Sequence, residues 1–174
     1  MNKNIFGRQN TFFFSEGFIT ALSVGGFFII LGLVFVLTPG TWHAADAFFQ
    51  DLKIVNVSTT SHIANLNVPA PANPKMHTDF YSSVFSFCVG IGILQIAVLS
   101  FRVIFSSSSR RISNSVGDLI FWFGAAFSVN AFLLAGTLKG FWQFWTALLI
   151  IIGISLIIRG IIYLAIWRTR HTKM

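Results

Sequence analysis

Four apolar stretches dominate this sequence, at about residues 17–37, 80–105, 118–136 and 141–167. Each is long enough to cross the hydrocarbon core of a bilayer, which takes ~20 residues of helix. Backbone amides and carbonyls in lipid must bond within their own segment, so the stretches are predicted to be helices. The expected fold is an all-α membrane protein, a bundle of four transmembrane helices forming a single integral domain over residues 1–174. Composition supports this: 55% of the residues are hydrophobic and 10% are charged, where a soluble domain carries roughly 25% charged residues. The 21 phenylalanines would form adhesive patches on a small soluble protein but can face lipid without cost.

Basic residues set the expected direction. Lys3, Arg8, Arg102, Arg110, Arg111, Arg168, Arg170 and Lys173 fall on one side of the four spans, against Lys53, Lys75 and Lys139 on the other. The positive-inside rule then places both termini and the second connection in the cytoplasm. Trp142 and Trp145 mark the outer interface of the last span, Tyr163 and Trp167 the inner one. The net charge of +7 is thus an orienting charge beside a membrane, not a nucleic-acid footprint. Ala45-Asp46-Ala47 has the form of a signal-peptide cleavage site. The apolar run before it exceeds the 7–15 residues of a signal peptide, so a retained first span is expected. The expected location is the cell membrane, crossed several times.

Helix starts are expected where an acid can meet a positive helix end: Ser15 with Glu16, Thr78 with Asp79, and the capping-box pattern from Ser115 to Asp118. Residues 38–79 form the single long connection, about 42 residues on the outer side. Apolar spacing from Trp42 to Leu52 predicts a short amphipathic helix. Ile54 to Thr60 is β-branched, which predicts an extended stretch. Pro69, Pro71 and Pro74 predict a polyproline-like path into the second span. His43, His62 and His77 lie in this loop with Asp46 and Asp79. Imidazole and carboxylate suit zinc, copper or iron, although the histidines lack compact ligand spacing and also fit as interfacial side chains. Asn56-Val57-Ser58 is an N-glycosylation sequon.

Inside the spans, Arg159 stands out. Eight residues separate it from Arg168, roughly 12–13 Å of helix, and an arginine at that depth needs a partner or must snorkel. Glu16, Arg102 and Asp118 fall in the same leaflet. Together with Arg159 they form a candidate inner-leaflet charge network, in which Arg159 pairs with Asp118 or Glu16. Gln95 and Asn130 are the intramembrane polar residues, expected as interhelical hydrogen-bond glue. Small-residue spacings predict helix contacts at Ser82, Ser86 and Gly90, at Gly124 and Ser128, at Ala21 and Gly25, and at Gly153 and Gly160. Cys88, the lone cysteine, reads as a small buried hydrophobe.

The stretch from Arg110-Arg111 through Ile120-Phe121-Trp122-Phe123-Gly124-Ala125, with Leu156-Ile157-Ile158-Arg159, resembles small multi-span archaeal membrane proteins of unassigned function. The resemblance implies an archaeal cell membrane and carries no activity. With no cofactor motif or catalytic constellation in view, the expected role is non-catalytic. The chain reads as an accessory or scaffolding subunit packed in lipid against other membrane proteins or against itself, with no nucleic-acid partner. A small oligomeric transporter or channel is the alternative, and a metal or redox site at His43, His62 and His77 a further one.

Overall fold

A computed structural model describes the chain over residues 4–57, 66–105 and 107–171, with side chains at 17–55, 68–105, 107–166 and 168. It is mostly helical. The elements are α1 (Asn4–Leu37), α2 (Thr41–Gln50), β1 (Leu52–Val57), β2 (Leu66–Pro71), a 3-10 turn (Pro74–His77), α3 (Thr78–Ile104), α4 (Ser109–Ser128), a π turn (Val129–Leu133) and α5 (Leu138–His171). Four of the helical segments are long and apolar enough to span a membrane: Gly17–Leu37, Pro74–Ile104, Ser109–Leu133 and Leu138–Ile166. The chain is therefore a multi-pass helical membrane protein. Its two ends differ chemically. One carries the β-hairpin and is called the hairpin end; the other carries Arg102, Arg110 and Arg111 and is called the arginine end.

The spanning helices pack chiefly in the order α1, α3, α4, α5, so α3 and α4 are the inner pair. Close approach depends on glycines facing larger side chains. A Cβ on Gly90 of α3 would lie 2.7 Å from Ile30 of α1, and one on Gly124 of α4 would lie 2.7 Å from Ile151 of α5. Gly92 of α3 receives the ring of Phe123 from α4. Midway along, Cys88, Ala125 and Ala126 form a small buried core packed by Val84, Phe85, Trp122 and Leu148. Of the expected small-residue contacts, Gly90 and Gly124 sit at crossings, whereas Gly25, Gly153 and Gly160 have no neighbour within 4 Å. Those three lie on outward faces, and Gly26, one residue on from Gly25, meets Leu94 instead.

The long connection is an ordered cap where it is described. Gly40 takes φ +92°, a left-handed conformation that glycine adopts freely, and turns the chain from α1 into α2. β1 and β2 then pair antiparallel, with Ile54 opposite Pro69 and Leu52 opposite Pro71. Both prolines are accommodated because a two-stranded ribbon has only edge strands, whose outward N–H positions need no partner in the ladder. The prolines thus mark a paired strand and not the free polyproline-like path. Pro74 opens the 3-10 turn, a position where its missing N–H is not needed. A two-stranded ribbon is marginal alone; this one is held by packing. Ala70 is buried with Tyr81, Val129, Leu133 and Phe141, and Phe48 of α2 and Val55 of β1 pack on the same cluster.

The α3–α4 connection is shorter than expected. α4 begins at Ser109, so the Ser115–Asp118 pattern is not a helix start but lies in helix interior. Ser15 and Glu16 likewise fall inside the continuous α1. Thr78 does begin α3, with Asp79 in its first turn.

Candidate functional site

The polar groups concentrate in two places. At the arginine end they form a seam joining α3, α4 and α5. Ser113, Ser115 and Gly117 are buried on the inner face of α4, where hydroxyls need partners. The Ser113 hydroxyl donates to the Arg159 carbonyl, and Ser155 donates to the Gly117 carbonyl at 2.9 Å. Arg102 of α3 reaches across with Nη1, donating to Ser115 Oγ at 2.6 Å and to the Arg111 carbonyl at 2.9 Å. Arg159 Nη2 donates to Asp118 Oδ1 at 2.7 Å, forming an ion pair whose side chains are 31% and 40% exposed. To reach Asp118, the Arg159 side chain lies directly over Gly117: a Cβ there would be 2.1 Å from Nε and 2.3 Å from Cγ. Only glycine leaves the arginine that route.

At the hairpin end the centre is Asp51, the residue that ends α2. Its Oδ2 accepts from His77 at 2.9 Å and from the Asn73 backbone N–H at 2.8 Å. A carboxylate can only accept, so His77 Nε2 carries the proton. His77 is buried and meets the ring edges of Phe48 and Tyr81. One carboxylate therefore ties α2, the chain after β2 and the start of α3 together. Beside it, Thr41 donates to the Thr38 carbonyl at 2.6 Å and sits 3.1 Å from Ser83 Oγ, linking the α1–α2 turn to α3.

The hydrogen bond from His77, then that from Asn73, holds the Asp51 carboxyl below its ordinary 3.8. A carboxylate with a lowered folded-state value stabilises the fold fully above its unfolded value. That contribution is lost as pH falls through the lower, folded value. Amide hydrogen exchange of β1 and β2 is therefore expected to be flat in free energy from pH 8 to 5 on account of Asp51. The amides then lose protection below about pH 4. Asp51→Asn is expected to reduce protection at pH 6 and to differ less from the native chain at pH 3 than at pH 6. An equal gap at both pH values would mean that the carboxylate charge does not hold the hairpin.

The residues singled out in the sequence are distributed as follows. His77 is engaged with Asp51, and His43 is exposed on α2. His62 lies outside the described residues. Among the described residues no three His, Cys, Asp or Glu side chains form a metal-sized group. The Asn56 backbone pairs with Asn67 in the hairpin, and the Asn56 side chain is outside those described, as is that of Glu16. Gln95 is half-buried on α3, while Asn130 is exposed in the π turn, one turn from the end of its span. Local patterning had not indicated Ser113, Ser155 or the Asp51–His77 pair, and it pointed to Ser115 only as a helix cap. The three serines are dispersed among apolar and basic residues, and the pair is separated by 26 positions.

No protein-family model, curated protein or solved structure matches the chain.

Proposed function

We propose that the chain is a non-catalytic subunit of a membrane complex, with both termini in the cytoplasm and the hairpin cap outside. It uses the free faces of its end helices to pack against other membrane proteins. The observation that carries this reading is how the polar groups are used. Arg102, Ser113, Ser115, Asp118, Ser155 and Arg159 are occupied in holding helices together, and Asp51, His77, Thr41 and Ser83 in holding the cap. Among the described residues, what the end helices offer outward along their middle is mainly apolar shape, with Phe28 and Ile29 of α1 each 64% exposed. Packing and interhelical contact, not the hydrophobic effect, drive association in lipid, and ring-rich faces supply contact area.

The test is native mass spectrometry on chain extracted gently from its own membrane at native abundance. A complex of fixed stoichiometry is expected. Phe28→Ala with Ile29→Ala should dissociate it without lowering the yield of inserted chain. Recovery of the chain alone, or as a homo-oligomer, would defeat the subunit reading and turn attention to ion flux in liposomes.

Orientation has a separate readout. Cys88 is buried, so it reacts slowly and a second cysteine can report. A membrane-impermeant maleimide should label Asn73→Cys on intact cells and Ser108→Cys only after lysis, both positions being exposed. The reverse pattern would invert the topology.

A further inference from the structure

Between the first turns of α4 and the Arg159–Tyr163 turn of α5 lies a hollow of about 370 Å³, lined by Arg110, Ser113, Asn114, Arg159, Gly160 and Tyr163. Two guanidinium side chains, an amide, a hydroxyl and a phenol line it, with no carboxylate. Arg159 is neutralised in part by Asp118, whereas Arg110 is exposed and makes no ion pair among the described residues. Ser108 provides no side-chain cap to α4, so the positive end of the helix dipole adds to the field. Gly160 has nothing within 4 Å of its Cβ position, which leaves the α5 wall of the hollow open. The donors suit a phosphate oxygen set: arginine binds it through paired N–H groups, and amide and phenol N–H and O–H groups complete it.

We propose that this groove holds the phosphate of an anionic phospholipid in the leaflet at the arginine end. Free phosphate shares the same chemistry, but the position favours the lipid. Tyr163 is 42% exposed and lies close to the end of the apolar span at Ile166, the part of a span where interfacial aromatics are enriched. From Gly160 toward the bilayer centre the same face of α5 continues as Leu156 and Leu149, both exposed, a track for an acyl chain. The uncompensated charge of Arg110 selects a headgroup of net negative charge over a zwitterionic one. Basic pockets between spans are a common form of headgroup recognition.

The experiment titrates the detergent-solubilised chain with dioleoylphosphatidylglycerol or dioleoylphosphatidylcholine and counts bound lipid by native mass spectrometry. One phosphatidylglycerol per chain is expected to bind several-fold more tightly than phosphatidylcholine. Arg110→Gln should weaken it about fivefold, the loss expected for one interfacial arginine. Lys139→Gln, the same charge change at the hairpin end, should leave it unchanged. Equal losses in the two variants, or equal binding of the two lipids, would overturn the proposal. Should Arg110→Gln lower thermal stability, Asn114→Leu, on an exposed residue, carries the same expectation. Displacement of phosphatidylglycerol by millimolar inorganic phosphate would overturn the lipid assignment.

Discussion

Gly117→Leu is expected to lower the unfolding temperature of the solubilised chain on the order of 10 °C, from a cost of about 2–4 kcal/mol. The leucine Cβ alone would overlap Arg159 Nε at 2.1 Å and Cγ at 2.3 Å. The near end of a side chain cannot simply swing aside. The backbones cannot separate cheaply either, because Ser155 holds the Gly117 carbonyl while Ser113 holds that of Arg159. Arg159 must therefore leave Asp118, or the two helices must part. Helix propensity works the other way, since leucine is better than glycine by ~1 kcal/mol in a helix interior, so any loss measured is a net one. A double-mutant cycle isolates the cause. With Arg159→Ala already in place the leucine has less to displace, and its cost should fall by at least half. Strict additivity would mean that Gly117 matters for some reason other than the passage of Arg159.

That contact also shows why the sequence was uneven as a guide. α1 and α5 were legible because their exposed faces are apolar, so hydropathy marks where they lie; the runs at 17–37 and 141–167 fall within Asn4–Leu37 and Leu138–His171, although α1 itself starts well before its apolar run. The start of α4 was hidden because its first turns bury Ser113, Ser115 and Gly117 rather than apolar residues. A hydropathy scan registers such a segment as a polar link, and the Ser115–Asp118 spacing imitates a cap. The partners that make those serines tolerable, Arg102 and Arg159, come from other helices. Spacing of small residues was similarly ambiguous: Gly25 and Gly26 are adjacent, yet only Gly26 faces a neighbour. Which face is inward depends on the packing order of the helices, which no single helix encodes.

The hairpin cap posed the opposite problem. Its local signals were present but pointed elsewhere. Pro69 and Pro71 suggest an unpaired path until β1 supplies a partner strand. His77 suggests a ligand until Asp51 is found against it, 26 residues away. Both ends of the molecule follow one rule. A polar side chain beside the membrane is tolerated when a distant segment brings its partner, and the resulting contact holds the two segments together.

Tyr81→Ala should then release the cap while leaving the spans in place, with a cost of about 3–5 kcal/mol, the range for truncating a large buried aromatic. Tyr81 is 1% exposed and lies in the cluster where Ala70 of β2, Val129 and Leu133 of the π turn and Phe141 of α5 meet. Phe48 of α2 packs edge-on at 5.9 Å between ring centroids. Removing the ring opens a cavity beneath every element of the cap at once, and a two-stranded ribbon has little stability of its own to fall back on. The readout is trypsin cleavage at Lys53 and Lys75, both exposed but held in structured backbone. Cleavage there should accelerate by more than tenfold, while a helical circular-dichroism signal from the spans persists. Tyr81→Phe separates the ring from its hydroxyl. The phenol oxygen is buried without a hydrogen-bond partner among the described residues, so its removal ends a desolvation cost and should leave cleavage unchanged or slower. If phenylalanine instead loosened the cap as alanine does, the hydroxyl and not the packed ring would be holding the cap.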